Sequence, residues 1–350
     1  IIDQTKLPGT TEIIALKTAQ EIWDAIYLLQ VRGAPAIGVA AAYGIYVLAK
    51  GIDTDNYDAF YAEFKKQKEY LDSSRPTAVN LSWALNRMHN VMLTEKNHMN
   101  IPELKARLMK EADDIREEDI QISRNIGTYG FELLEKLGKG VGIMTHCNAG
   151  TLATAKYGTA LAPMYIALEH GWDPKNDLHV YCDETRPLLQ GARLSAYEMQ
   201  AAGIDTYVQC DNMASYTMKS GKIGIIFVGC DRVAANGDFA NKIGTSGVAI
   251  IAKHYGVPFY VCAPSSTIDM TLESGDEIHI EQRKGEEVTE MWYEKRMAPE
   301  GVGVVNPAFD VTDHSLVTGI ITEKGIAYEP FKESFEKMGI KPVEKYVDKK

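Results

Sequence analysis

Apolar residues recur at three-to-four spacing through five stretches of the first third of the chain: QEIWDAIYLLQVRG (20–33), PAIGVAAAYGIYVLAK (35–50), NYDAFYAEFKKQKEYLDSS (56–74), AVNLSWALNRMHNVML (78–93) and the run from Glu103 to Leu134. That period turns one side of a helix inward, so the spacing predicts five helices. The opening segment, IIDQTKLPGTTEIIAL, breaks the pattern with β-branched runs around a Pro-Gly pair, which predicts a small hairpin. Charge density rises between Glu111 and Asp119, as on a solvated helix face.

From about Lys139 the texture changes. Short β-rich runs appear at GVGIMTHC, DLHVYCDE, DTYVQCDN, KIGIIFVGCD and VPFYVCAP. Between them lie TLATAKYGTALAPMYIALEHG, QGARLSAYEMQAAG, MASYTMKSG and TSGVAIIAKHYG, which read as crossover helices. Such alternation predicts right-handed βαβ units and an α/β fold with a mostly parallel sheet. In open parallel sheets ligands sit beyond the carboxyl ends of the strands. Cys147, Asp183, Glu184, Asp211 and Asp231 fall at those ends. No repeat of fixed period and no low-complexity tract is present.

At 350 residues the chain has room for two domains, and 45% hydrophobic with 24% charged residues is ordinary for a globular enzyme-sized protein. Its formal charge of -11 argues against a nucleic-acid surface, which needs a concentrated basic footprint. A small anion in a local basic pocket remains compatible with it. No apolar run is long enough for a membrane span, and the first residues lack the basic start and apolar core of a signal peptide, so the expected location is the cytoplasm. The five cysteines have neither zinc spacing nor the look of a disulfide framework. The expectation is therefore no metal and no cofactor.

Cys147, in THCNAGTLATA, stands where a strand ends and a small-residue helix is expected to begin. A thiol there feels the positive helix end and leans toward thiolate, and Asn148, Ala149 and Gly150 offer backbone N–H groups to an anion. The same residue also fits a small buried hydrophobe, as Cys182, Cys210 and Cys262 do inside their β-runs. His146 points to the opposite face of its strand and reads as structural. In VGCDRVAANGDFANKIGTSG, Asp231 ends a hydrophobic strand, where a raised pKa for acid work can be arranged. It could equally cap the turn or pair with Arg232. The following segment reads as a polar loop, in which Asn241 and Lys242 either hold a phosphate or sugar hydroxyls or serve as ordinary loop residues. Gln190 has donor and acceptor groups suited to adjacent hydroxyls, with Arg186 and Arg193 around it, although Arg186 also suits a structural pair with Glu184. VRGAPAIG and SSRPTAVN each set an arginine, Arg32 or Arg75, beside a tight or Pro-initiated helix start, an arrangement suited to phosphate.

In this order RGAPAIG, SRPTAVNL, THCNAG, ETRPLLQGARL, GCDRVAANGDFANKIGT and VPFYVCAPSSTID resemble the methylthioribose-1-phosphate isomerase family, with NPAFDVT and GIITEKGI extending the similarity over nearly the whole chain. The resemblance implies a mainly helical N-terminal domain, here residues 1–125, and a Rossmann-like catalytic domain, residues 126–350, assembled as a homodimer. It implies Cys147 and Asp231 as the catalytic pair, and Arg32, Gly33, Ala34, Arg75, Gln190, Asn241 and Lys242 as substrate contacts. The implied substrate is a small sugar phosphate, 5-methylthioribose 1-phosphate. Alternatives of the same reaction type are 5-deoxyribose 1-phosphate and ribose 1,5-bisphosphate. The regulatory subunits of a translation-initiation exchange factor share the implied fold, but they lack the Cys and Asp that this chain has. A nicotinamide-dependent dehydrogenase is disfavoured because no G-x-G-x-x-G follows a strand. Two positions depart from the family pattern: Cys230, commonly Ala, and Thr151, often smaller, which bears on the pocket for the 5-substituent.

Overall fold

The computed structural model describes residues 1–75 and 79–341. They divide into two units: Ile1–Ser123 together with Gly150–Gly158, and Arg124–Ala149 together with the residues from Thr159 onward.

The first unit holds α1 (Ala19–Tyr27), α2 (Ala34–Lys50), α3 (Tyr57–Asp72), α4 (Val79–Thr94) and most of α5 (Ile101–Leu137). Side-chain caps set several of these starts. Thr18 and Glu21 form a capping box before α1, Asn56 accepts from the N–H of Ala59 before α3, and Asn100 and Glu103 bond reciprocally before α5. α2 begins differently, on Gly33 at φ +90° followed by Ala34-Pro35, with no side-chain cap. A Cβ on Gly33 would also lie 2.5 Å from Cα of Ala153, so glycine is required twice over. The small residues of α2 admit close neighbours: a Cβ on Gly38 would stand 3.1 Å from the carbonyl oxygen of Asn80 in α4. Ile37, Ile45, Phe60, Phe64, Leu85 and Met88 form the middle of this core. Phe60 and Phe64 are fully buried, which stabilises the fold by ~1.5–3 kcal/mol each. The expected N-terminal hairpin is reduced to one bridge, Ile2–Ile13, with the Asp3 N–H bonded to the Glu12 carbonyl. Of SSRPTAVN, residues 76–78, where a Pro-initiated helix start is expected, lie outside the described residues.

The second unit runs in the order β1 (Gly142–His146), α6 (Ala162–Glu169), β2 (His179–Asp183), α7 (Ala196–Ala201), β3 (Asp205–Gln209), α8 (Ala214–Lys219) and β4 (Ile223–Val228). There follow β5 (Arg232–Ala234), β6 (Phe239–Lys242), α9 (Thr245–Tyr255), β7 (Phe259–Cys262), β8 (Ile268–Asp269), α10 (Glu286–Thr289), β9 (Phe309–Thr312), β10 (Gly319–Thr322), β11 (Gly325–Ala327) and α11 (Phe331–Lys337). Seven strands join in the order β11-β10-β7-β4-β1-β2-β3, all parallel except the β10–β11 pair. This is the mostly parallel sheet that the alternation predicts. Every residue of β1 and β7 is buried, as central parallel strands covered on both faces should be.

Two expectations are corrected. No helix starts behind Cys147: only a three-residue 3-10 turn, Thr151–Ala153, precedes α6. Gly150 and Thr154 are extended, Tyr157 and Gly158 take positive φ, and the apolar spacing of the segment is satisfied by buried turns instead. The segment after Asp231 is not a loop but the β5–β6 hairpin, part of a four-stranded sheet in the order β8-β5-β6-β9. No described helix is long and apolar enough to cross a membrane.

Candidate functional site

From β1, the chain moves outward to β2 and β3 on one side, then returns to β4 and continues through β7 and β10 on the other. The direction of winding therefore reverses between β1 and β4, and their carboxyl ends flank the crevice where open α/β sheets bind ligands. Cys147 is the first residue past β1, and Asp231 is the third past β4. The two loops meet there: a Cβ on Gly229 would lie 2.7 Å from the side-chain Cβ of Ala149. Glycine is needed there because the chains that carry the two side chains come together at that point.

Cys147 is buried and takes φ +67°, a left-handed conformation that L-residues avoid. Its N–H donates to Oγ1 of Thr185 at 2.8 Å, and its carbonyl accepts from Oγ of Ser195 at 2.7 Å. Thr185 also has positive φ, and the carboxylate of Asp211 accepts from the N–H groups of both Thr185 and Arg186. Asn148 turns its amide inward, donating to Ser195 Oγ and to Oε1 of buried Glu198. Thr185, Ser195 and Glu198 carry no sequence signal for this role, because it arises only when three strand ends meet.

Asp231 is exposed, which corrects the expectation of a carboxylate in apolar surroundings: three residues beyond the strand, it has left the core. Its backbone N–H donates to the Ala240 carbonyl at 2.9 Å, tying it to β6. Its neighbour Arg232 pairs with Asp269, at 2.8 Å. The same β6 carries the next two candidates, Asn241 and Lys242. Asn241 is buried and donates to Thr245 Oγ1, while the Lys242 ammonium lies 4.1 Å from the centroid of the Phe309 ring. The hairpin turn behind them is Ala235-Asn236-Gly237-Asp238, and its Asn-Gly pair between short apolar runs is the signal that identifies it. α9 starts at Thr245 as expected, but Asp310 fills its N-terminus by accepting from the Gly244 and Ser246 N–H groups.

Gln190 opens the π-helical turn Gly191–Ser195. Gly191 presses on the end of β2: a Cβ there would fall 1.7 Å from the Asp183 carbonyl oxygen. Gln190 is buried, and among the described residues its Oε1 has no hydrogen-bond partner. A buried acceptor left unsatisfied is costly and calls for a donor, such as a hydroxyl of a ligand. Arg186 and Arg193 lie over the rings of Tyr293 and Trp292, and the Trp292 indole donates to the Pro187 carbonyl. Residues 286–293 thus strap the segment that carries Gln190, an element that the sequence pattern did not reveal.

His146 is structural, as expected, but its chemistry is unusual. The ring is buried, with Nδ1 3.2 Å from Oδ2 of Asp183 and Nε2 2.9 Å from the Ile243 carbonyl. Both partners present oxygens to the ring, an arrangement that favours the doubly protonated imidazole, while burial pushes the Asp183 carboxyl up as well. Burial opposes the charge on the ring, but the hydrogen bond and charge of Asp183, with Asp211 3.9 Å away, hold His146 above the usual histidine range.

The structure thus sets Cys147, Asp231, Gln190, Asn241 and Lys242 along the carboxyl edge of the second unit. In the first unit, Arg32, Gly33 and Ala34 stand at the start of α2, and Arg75 follows α3. Among the described residues, Asp238, Asp313 and His314 come close enough to share a metal ion, but Asp238 is already occupied by Asn236, by the Gly275 N–H and by His314.

Comparison with known proteins agrees with the motifs. The model of the Initiation factor 2 subunit family matches residues 30–329. A methylthioribose-1-phosphate isomerase of Parabacteroides distasonis is 60% identical over 329 residues, covering 94% of this chain and 96% of the relative. A 5-deoxyribose 1-phosphate isomerase of Bacillus cereus is 53% identical over 338 residues, covering 97% and 94%. The crystal structure of 5-methylthioribose 1-phosphate isomerase from Pyrococcus horikoshii superposes with a TM-score of 0.90 at 42% identity, covering 97% of this chain and 92% of that one. A family model that spans most of the chain, together with relatives aligned almost end to end, shows that the chain belongs to the Initiation factor 2 subunit family.

Proposed function

We propose that this protein is an aldose–ketose isomerase that converts 5-methylthioribose 1-phosphate into 5-methylthioribulose 1-phosphate, with Cys147 and Asp231 as its catalytic pair. The observation that carries the proposal is the contact of the Cys147 and Asp231 loops, at Ala149 and Gly229, over the crevice between β1 and β4. The unpartnered Oε1 of Gln190 supports a hydroxyl-bearing ligand there. Asn241 and Lys242, on the strand that anchors Asp231, supply an amide and a cation for a phosphate. Arg32, Gly33, Ala34 and Arg75 are further proposed substrate contacts.

A sugar phosphorylated at its anomeric carbon has no free aldehyde form, so the ring must open by protonation of the ring oxygen while C2 is oxidised. Asp231 gives that proton and later accepts one. Cys147 moves a proton at C1 or C2 in an enol-phosphate route; in the alternative, the hydrogen of C2 migrates to C1 as hydride and only oxygen-bound protons need handling. Both routes leave the ketone at C2 and the phosphate on C1. The proposed setting is a cytoplasmic homodimer in methionine salvage.

The second reading, 5-deoxyribose 1-phosphate, is favoured by the name of the Bacillus cereus relative and by Thr151, where the family often has a smaller residue. Ribose 1,5-bisphosphate requires further basic groups, while Arg186 and Arg193 beside Gln190 are stacked on aromatic rings. A regulatory role fits the family name but leaves the Cys and Asp without a task. The test is turnover of both sugar phosphates by wild type, Cys147→Ser and Asp231→Asn, with deuterium at C2. Folded variants that keep full turnover end the proposal. Retention of label at C1 selects hydride migration, and loss to water selects the enol phosphate.

A further inference from the structure

We propose that Thr185 and Ser195 are positioning residues that clamp Cys147 in its left-handed backbone and so aim its thiol; the inference rests on the catalytic reading of Cys147. A non-glycine residue at φ +67° persists only where its surroundings overdetermine it. Here both flanking peptide groups are held. The Cys147 N–H reaches Thr185 Oγ1 at 2.8 Å, and the Cys147 carbonyl receives Ser195 Oγ at 2.7 Å.

Each hydroxyl has its remaining capacity committed in the direction that the clamp requires. Thr185 Oγ1 donates its hydrogen to the Asp183 carbonyl at 3.0 Å, which turns a lone pair toward the Cys147 N–H. Ser195 gives its hydrogen to Cys147 and accepts from Asn148 Nδ2 at 3.2 Å. Asn148 is in turn fixed by Glu198, 2.9 Å away, and Thr185 by Asp211 through its own N–H at 2.7 Å. Thr185 and Ser195 are 0% exposed, so neither hydroxyl can touch a substrate. Their effect must pass through Cys147. Relaxing its φ to a negative value would rotate the Cα–Cβ bond and redirect the thiol.

The experiment has two arms. In the first, Thr185→Val, Thr185→Ser and Ser195→Ala are assayed with 5-methylthioribose 1-phosphate. Thr185→Val and Ser195→Ala should lower kcat about 5–30-fold, the population factor of a left-handed conformer left unsupported, with KM within about twofold. Thr185→Ser keeps the acceptor and should restore most of kcat. A wild-type kcat in both Thr185→Val and Ser195→Ala overturns the clamp, as does a loss confined to KM.

The second arm does not depend on activity. Cys147→Gly should melt about 2–4 °C above Cys147→Ala, because glycine accepts positive φ freely. With Thr185→Val added to each, that advantage should fall below half, since alanine is then free to relax. An undiminished advantage refutes the clamp even if wild type proves inactive on both sugars, an outcome that would sink the catalytic reading alone. Should Thr185→Val fail to fold, Ser195→Ala takes its place in both arms.

Discussion

Replacing Asp119 with Asn should stabilise the protein at neutral pH and leave it nearly unchanged near pH 4. Asp119 lies on the first-unit part of α5 and accepts the Ala155 N–H at 2.6 Å, anchoring the segment that follows the Cys147 loop in sequence. Burial pushes its carboxyl from 3.8 up to about 6, against the opposing pull of the Ala155 N–H. A group whose pKa is raised on folding contributes its stability below the unfolded value and loses it as pH rises through the folded one. The wild-type protein should therefore lose stability at this site between about pH 4 and pH 6. The span is roughly two pH units, and at ~1.36 kcal/mol for each the ceiling is ~3 kcal/mol. Asp119 keeps some solvent contact, so ~1–2 kcal/mol is the realistic gain. Asparagine retains an oxygen for the Ala155 N–H and never ionises. Calorimetric melting of both proteins at pH 4 and pH 7.5, with hydrogen exchange at the Ala155 amide, measures the difference. A gap that is equal at the two pH values, or a less stable variant at pH 7.5, would show that the carboxylate is well accommodated as an anion and refute the reasoning.

Gln190→Leu should trade activity for stability. It removes a buried oxygen without a partner and so should stabilise by ~1 kcal/mol in urea denaturation, while KM for the sugar phosphate rises; a destabilised variant with normal KM would make Gln190 a core residue only. His146→Gln should cost ~3 kcal/mol at pH 6, because it breaks a buried ion pair with Asp183. Since the His146 pKa is raised, its contribution is whole below ~6.5 and fades as pH climbs through the folded value, so the variant should show a flatter melting profile on the alkaline side. Parallel profiles for the two proteins would count against an imidazolium.

The elements of the first unit were legible because each helix buries one face and several announce their starts, as Thr18 and Glu21 do for α1. The strands β1, β2, β3, β4 and β7 were legible because buried parallel strands read as apolar runs. The β5–β6 hairpin was missed because Arg232–Ala234 and Phe239–Lys242 are too short to show a period, although Asn236-Gly237 marked the turn. The helix expected after Cys147 failed for a different reason. Its residues are small and apolar, which suits helix and buried turn alike, and tertiary packing decided between them.

The candidate site illustrates where local reading must stop. Three strands end in, or lead into, the same dipeptide: Cys182-Asp183 after VY, Cys210-Asp211 after VQ and Cys230-Asp231 after VG. Nothing in those local sequences separates the aspartates, yet the sheet assigns them three fates. Asp183 ends β2 beside central β1; it is buried, and it bonds the His146 ring. Asp211 follows the edge strand β3, where its two oxygens cap the Thr185-Arg186 backbone that supports Cys147. Asp231 alone follows a strand that borders the reversal of winding, and Gly229 in place of a bulkier residue lets its loop meet that of Cys147. The difference between the two structural carboxylates and the one proposed to react is thus set by strand order, a property of the whole chain, and not by the residues on either side.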